Sequence, residues 1–363
     1  MSNISITSYN KRFNIKIEEI EEQNLPIITK YFKNIKLIEK FDHKITVLIE
    51  DLLEDYIVTL EENEEIIKKI KQAFKNYLSY PPSMRIGNRV FDFEKKVYIM
   101  AIINVTPDSF YDGGLYLDFE KAKKRLEQCY KEGAHIIDIG GESTRPGSLR
   151  ISVEEELRRV IPLIKYASKE FDVPISVDTY KSKVAEEAIV CGASMINDIS
   201  GLIADEKMFE VAKNYDVPIV IMHIRGNPSI MQKEPIIYED VVSDVLRSLR
   251  TKIHYAKIMG LKEDKIIIDP GIGFGKSLGH NIALILRLNE LKCLGRPILI
   301  GASRKSFIGK ILNLPPEERL EGSLAILSIA IMNGANIARV HDVKESLRVA
   351  EISSYLRNKI NRI

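Results

Sequence analysis

The chain has 363 residues, with 53 Lys and Arg against 51 Asp and Glu and a formal net charge of +2. That balance argues against a broad nucleic-acid or anionic-membrane surface, so any strong positive field must be local. Cys129, Cys191 and Cys293 show no zinc-ligand spacing and read as free thiols, no apolar stretch approaches the ~18–20 residues of a membrane span, and MSNISITSYN lacks a signal-peptide pattern, so a cytoplasmic protein is expected.

Residues 1–84 contain few Gly, many Ile, Lys and Glu, and no polar motif. FNIKI (13–17) alternates as a strand does, and 63–80 sets Ile66, Ile67, Ile70, Phe74 and Tyr77 on one helical face. Pro81-Pro82 then ends that helix. A small α/β or helical extension over 1–84 is expected, with packing as its simplest role and 85–363 as a catalytic domain. RIGNRVFDF (85–93) holds Gly87-Asn88 between apolar residues, which predicts a tight hairpin closing the bottom of the next domain.

From residue 98 eight apolar runs recur, each stopping at a polar side chain. YIMAIIN ends at Asn104, HIIDIG at Asp138 and Gly140, ISVD at Asp178, and MIND at Asn197 and Asp198. IVIMH ends at His223, IIID at Asp269, ILIGAS at Ser303, and IARVH at Arg339 and His341. Between them the pattern predicts helices near 118–132, 152–170, 182–192, 205–215, 238–260, 279–292, 319–333 and 344–360. Gly133, Gly192, Gly260 and Gly334 follow helical stretches, as residues that adopt the left-handed conformation without strain. Eight βα units with their chemistry at one end of every strand predict a TIM (β/α)8 barrel, which needs roughly 250 residues and leaves the extension outside it. A doubly wound sheet would show a Gly-rich turn after the first strand, and NVTPDSFYDGG is not one. GIGFGKS lacks phosphate-loop spacing, which excludes that kind of NTPase site.

Asp178, Asn197 and Asp269 end three separate strands. Singly each suits a helix cap. Together they suit the edge of a flat, polar, guanine-like or pterin ring, since Asp accepts and Asn both accepts and donates. A second group, Arg145, Arg304, Lys305, Arg339 and His341, suits a phosphate-bearing ligand, with hydroxyls from Thr144 and Ser303. Asn104 reads as a turn residue or, opposite a phosphate, as an oxygen ligand for Mg²⁺. The loops 108–114 and 141–148 read as lids, with Phe110 and Asp112 in the first. His223 reads as packed core, and Asp138 as structural.

In order, NVTPDSF, DIGGESTRPG, VDT, IND, DPGIGFGKS, GASRKS and RVHD closely resemble the motifs of the dihydropteroate synthase family. The resemblance spans about residues 85–360. It implies condensation of 6-hydroxymethyl-7,8-dihydropterin diphosphate with 4-aminobenzoate, or a related arylamine, in a cytoplasmic homodimer using Mg²⁺. Pterin contacts would be Asp178, Asn197, Asp269 and Lys305, with Met222 and Phe274 lining the pocket. Diphosphate contacts would be Thr144, Arg145, Arg339 and His341, and Asn104 would ligate the metal. Phe110, Asp112, Arg145 and Ser303 would shape the arylamine site. Asp112, Arg145 and Lys305 are the catalytic candidates. Tyr111 stands where the family commonly carries Ser, and HIRGNP replaces an HMQG-like segment. The alternatives are a pterin-dependent methyltransferase, which needs no diphosphate cluster, and a barrel that binds pterin without catalysis.

Overall fold

The computed structural model describes residues 2–9, 12–41, 43–79, 81–105, 114–143, 150–225 and 237–360. Four antiparallel strands open the chain: β1 (Asn3–Tyr9), β2 (Arg12–Glu21), β3 (Ile35–Phe41) and β4 (Lys44–Leu53), in the spatial order β1-β2-β4-β3. Strand β2 alternates, so Phe13, Ile15 and Ile17 share one face. Three helices, α1 (Leu25–Tyr31), α2 (Glu54–Thr59) and α3 (Glu65–Leu78), complete this unit. The expected face of α3, Ile66, Ile67, Ile70, Phe74 and Tyr77, is buried in the unit's own core. Cys293 also belongs to that core. All three cysteines are free thiols.

The hairpin follows as β5 (Met84–Ile86) and β6 (Arg89–Phe91), turning at Gly87-Asn88 with Ile86 opposite Arg89. Gly87 has φ +59°, which a glycine tolerates at the first central position of a two-residue turn.

Eight parallel strands then alternate with helices. The strands are β7 (Tyr98–Asn104), β8 (Ile136–Gly140), β9 (Ile175–Asp178), β10 (Met195–Asp198), β11 (Ile219–Met222), β12 (Ile266–Asp269), β13 (Leu299–Ile300) and β14 (Ile337–Val340). Their order, β12-β11-β10-β9-β8-β7-β14-β13, is closed by a bridge between Ile268 and Ile298. The ring is the expected TIM barrel. The helices are α4 (Gly114–Lys131), α5 (Val153–Glu170), α6 (Ser182–Val190), α7 (Met208–Asn214), α8 (Val241–Ile258), α9 (Leu278–Leu286), α10 (Ser306–Leu312), α11 (Leu320–Met332) and α12 (Val343–Ile360). The sequence pattern missed α10, a two-turn helix hidden behind the SRKS motif. Among the described residues no helix is long and apolar enough to cross a membrane.

Side-chain alternation sorts the barrel into two apolar regions. On β7, Ile99, Ala101 and Ile103 face the helices, while Tyr98 and Met100 face inward. The inward set continues through Ile136, Met195, Val220, Ile267, Leu299 and Ile337. Met84, Ile86, Phe91 and Phe93 of the hairpin region join it, so the hairpin plugs the bottom as expected. With the lower interior filled by apolar side chains, polar groups can enter only at the upper end.

Candidate active site

Strand period places the chemistry. In strands with inward Val220 and Ile267, the next inward residues are Met222 and Asp269, which also pair in register. In the other direction, register aligns Asn104 with Gly140, Gly140 with Asp178, and Asp178 with Asn197. One row at the mouth therefore carries an amide, a gap, a carboxylate and an amide. The gap matters: a Cβ on Gly140 would stand 3.3 Å from Cβ of Asp178.

Neighbours on opposite faces of one strand do different work. Asn197 points inward, whereas Asp198 points outward and accepts from the backbone N–H of Ser200 (2.8 Å) and Leu202 (2.7 Å). Asp198 is thus the turn-holding carboxylate that a lone strand-end Asp suggests. Asp269 does both jobs. Its Oδ1 accepts from the Gly271 N–H at 2.6 Å, and burial raises its carboxyl above the usual range.

The turn it holds has little tolerance. Gly271 has φ +69°, and a Cβ there would lie 1.9 Å from the His223 carbonyl oxygen. Gly271→Ala is expected to cost about 3 kcal/mol or more, since backbone must move and an L-residue is strained at that φ. A urea midpoint unchanged from the parent would contradict this. The same turn leads to Phe274 and to Lys276, which is buried. Lys276 Nζ donates to His223 Nδ1 (3.0 Å) and to the Phe274 carbonyl (3.0 Å). Burial and nearby positive charge, Lys276 foremost, push His223 down to about 2, so it is a neutral acceptor. His223 is therefore a packed, supporting residue, as expected, and Lys276 is its unforeseen partner.

Lys305 reaches the same corner. Its ammonium lies 4.6 Å from the Phe274 ring centroid and donates to the Ile272 carbonyl. Burial lowers it to about 8, with Asp269 pulling it back up and Arg339 pushing it down. The preceding residue explains its aim. Arg304 has φ +54°, which is rare for a side-chain-bearing residue. Its N–H donates to Ser323 Oγ (2.9 Å), and its guanidinium forks onto Asp342 (2.8 Å to each oxygen). Arg304 therefore leaves the basic cluster expected from sequence: it holds the turn that presents Lys305.

Arg339 starts level with Met100, below the rim, and its length carries the guanidinium upward. Nη2 pairs with Asp178 at 2.5 Å, and Nε donates to Asp138 at 2.6 Å. Burial raises the Asp178 carboxyl, Arg339 pulls it down, and Asp138 adds to the rise. The carboxylates in turn hold the Arg339 charge firmly. His341 differs from a cationic phosphate ligand. Burial and Arg339 lower it to about 4, and its Nδ1 lies 3.1 Å from Ser303 Oγ. That shift favours the neutral imidazole, which acts as a hydrogen-bonding group. Asp138, read from sequence as structural, is fully buried inside the ring and bonded to two strand-end side chains of the site.

Phe110, Tyr111, Asp112, Thr144 and Arg145 lie outside the described residues. The 141–148 segment is tethered at its base. Glu142 accepts from Tyr180 Oη (2.7 Å) and Lys181 Nζ (2.6 Å), and Arg159 donates to the Gly141 carbonyl (2.9 Å). Asn104 stands exposed at the rim. Among the described residues no three His, Cys, Asp or Glu side chains gather into a metal cage. A single amide oxygen fits Mg²⁺ only when phosphate oxygens and waters supply most of the shell.

A barrel mouth that sets carboxylates and an amide beside half-buried cations defines a binder of a flat polar ring that carries an anionic group. The family model described as "Pterin binding enzyme" matches residues 100–341. The dihydropteroate synthase of Clostridium beijerinckii is 47% identical over 274 residues, covering 75% of this chain and 99% of that protein. The structure of the Clostridium difficile dihydropteroate synthase in the presence of pteroic acid is 46% identical, with a TM-score of 0.69 over 73% of this chain and 98% of that one. The Xanthomonas albilineans dihydropteroate synthase with 4-aminobenzoic acid is 39% identical, with a TM-score of 0.70 over 76% and 98%. The chain belongs to the dihydropteroate synthase family of pterin-binding enzymes.

Proposed function

We propose that the protein joins 6-hydroxymethyl-7,8-dihydropterin diphosphate to 4-aminobenzoate and releases pyrophosphate, a transferase step of folate biosynthesis. One observation carries the reading: Asp178, Asn197 and Asp269 meet at the same mouth as Lys305 and Arg339, ring acceptors beside fixed cations. A methyltransferase would have no use for the cationic half. Relatives solved in the presence of pteroic acid and with 4-aminobenzoic acid support both the product and the amine.

In this reading the C–O bond from the pterin methylene to diphosphate breaks, a C–N bond to the arylamine forms, and the amine gives up one proton. No protein nucleophile is needed. Asp178, Asn197 and Asp269 hold the ring edge, and Met222 and Phe274 bound it. Lys305 and Arg339 meet the developing negative charge at fixed positions, which is where a preorganised site gains most. Neutral His341 and Ser303 add hydrogen bonds to the leaving group. Thr144 and Arg145 would join them from the second loop, and Phe110 and Asp112 would flank the amine from the first. Mg²⁺ held by Asn104 and diphosphate oxygens would add charge neutralisation to the departing group. We also place the enzyme in the cytoplasm as a homodimer, for which sedimentation should return twice the mass of one chain. Offering the pterin diphosphate with 4-aminobenzoate and, separately, a ribosylated arylamine tests the function. Mass spectrometry should find the 4-aminobenzoate adduct with one pyrophosphate per product, and no adduct with either amine sinks the reading.

The pH profile follows from the same groups. Protonation of Asp178 and Asp269 removes ring acceptors, and both are raised by burial, so kcat/KM for the pterin should fall on the acid side from above the usual carboxylate range. Lys305 loses its charge above about 8, so kcat/KM should also fall on the alkaline side near that pH. Bound diphosphate favours the ammonium, so the alkaline limb of kcat should lie at higher pH than that of kcat/KM. A kcat/KM flat to pH 9.5 would rule out this role for Lys305.

A further inference from the structure

Asp138 sits two strands from β10 and two from β14, and is the point where both halves of the mouth are tied together. It pairs in register with Ile102 and Ser176, one layer below the row of Asn104, Asp178 and Asn197. A single oxygen, Oδ2, accepts from Asn197 Nδ2 at 3.1 Å and from Arg339 Nε at 2.6 Å. The other oxygen, Oδ1, is buried without a hydrogen-bond partner among the described residues. A carboxylate retained only for stability would have both oxygens satisfied, because a buried orphan acceptor costs about 1–3 kcal/mol.

The geometry has two consequences. An oxygen receiving two N–H donors is an acceptor, so the end of Asn197 facing down must be its NH2 group. The amide oxygen is then the atom turned toward the mouth. With Asp178 and Asp269 it makes three acceptors, a set that reads N–H donors on a ring edge and rejects a ring offering lone pairs there. Arg339 meanwhile has two carboxylates. A ring that engages Asp178 competes with Nη2 of Arg339, while the Nε contact to Asp138 lies deeper and away from the ring.

We propose that Asp138 is a positioning residue for the pterin: it fixes the Asn197 amide with its oxygen toward the ring and anchors Arg339 while Asp178 turns to the ring. The inference rests on the pterin reading of the mouth. It assigns Asp138 no contact with substrate.

Calorimetric titration of the full-length protein with the pterin diphosphate, paired with steady-state kinetics, tests it. Asp138→Asn keeps an oxygen facing both donors and should bind within about threefold of the parent. Asp138→Ala frees the amide and lets Arg339 settle on Asp178, and should raise KM for the pterin roughly 30- to 100-fold, about 2–3 kcal/mol at 1.4 kcal/mol per decade. Its KM for the arylamine should stay unchanged and kcat should fall far less. A merely structural role would lower the amount of active enzyme without splitting the two KM values. A folded Asp138→Ala variant with parental pterin affinity overturns the proposal, as does an Asp138→Asn variant equally impaired. Should Asp138→Ala not fold, Asp138→Ser decides: its short hydroxyl cannot reach both donors, so it should raise KM for the pterin tenfold or more, and a folded Asp138→Ser variant with parental pterin affinity overturns the proposal. A parent protein that binds no pterin diphosphate sinks the site reading itself, which is a different failure from parental binding with indifferent Asp138 variants.

Discussion

Lys305→Met is expected to lower kcat/KM for the pterin diphosphate by about 10³-fold or more while the barrel stays folded. The methionine keeps a flexible apolar stem of similar length and loses the ammonium that lies over the Phe274 ring. Removing one preorganised group that meets transition-state charge costs about 10²–10³ in rate. A second loss adds to it. Lys305 is the strongest counter-charge on the buried Asp269, and without it the carboxyl rises further and favours the protonated form. Protonated Asp269 is a poorer ring acceptor, so the ring half and the anion half are weakened by one substitution. Ser303→Ala, by contrast, removes only neutral hydrogen bonds, to the His341 ring and from its backbone N–H, worth roughly 1 kcal/mol each. Pyrophosphate release under single-turnover conditions, with circular dichroism as the fold control, measures the difference. A folded Lys305→Met variant within tenfold of the parent would remove Lys305 from the mechanism.

The barrel was legible because its physics is local and repeated. Each strand carries an apolar run with a polar end, and four of the helices after them are followed by a glycine. Gly133, Gly192, Gly260 and Gly334 all adopt positive φ, as the pattern requires. The hairpin at 84–91 was legible for the same reason, since its turn and alternation are written in consecutive residues. The residues of the mouth were also visible, as strand ends.

What could not be read was pairing. Arg304 and Lys305 are neighbours with the same charge, and only the left-handed turn separates a holder from a ligand-facing group. Asp138 and Asp178 both lie near strand ends, yet Asp138 is a layer deeper, a fact set by barrel register and not by either strand alone. Counting inward positions back from Gly140 would have placed Asp138 inside the ring. Lys276 carries no signal that marks a buried lysine, because its partners are His223 and a carbonyl of its own loop. His341 looked cationic from composition, and burial beside Arg339 made it neutral.

Removing residues 1–79 is expected to cost the barrel a large part of its stability while leaving the mouth's chemistry intact. The extension is wired into α8 and into the 288–294 segment before β13. Arg250 on α8 donates to the Ser2 and Ile4 carbonyls, both at 2.9 Å. Asn3 Nδ2 bonds Glu18 at 2.6 Å and the Ser243 carbonyl at 3.3 Å, and Arg247 pairs with Glu18 at 3.3 Å. On the other flank Asn76 donates to the Cys293 carbonyl (3.0 Å), and Asn289 to Tyr77 Oη (2.8 Å). Each such bond is worth about 1 kcal/mol net, and truncation also exposes Cys293, now part of the extension's core. The sum is on the order of 5 kcal/mol, which is a third or more of a typical domain's margin of about 5–15 kcal/mol. Residues 81–363 should therefore melt at least 10 °C below the full chain or fail to accumulate in soluble form. The fraction that folds should keep its KM for the pterin diphosphate within about threefold, since among the described residues no extension side chain is hydrogen-bonded or ion-paired to a side chain at the mouth. One route by which the consequence reaches the site is α8, whose Lys252 donates to the Met222 carbonyl at 2.9 Å behind the pocket wall. A truncated barrel as stable as the parent would mean that the extension is carried for a partner and not for packing.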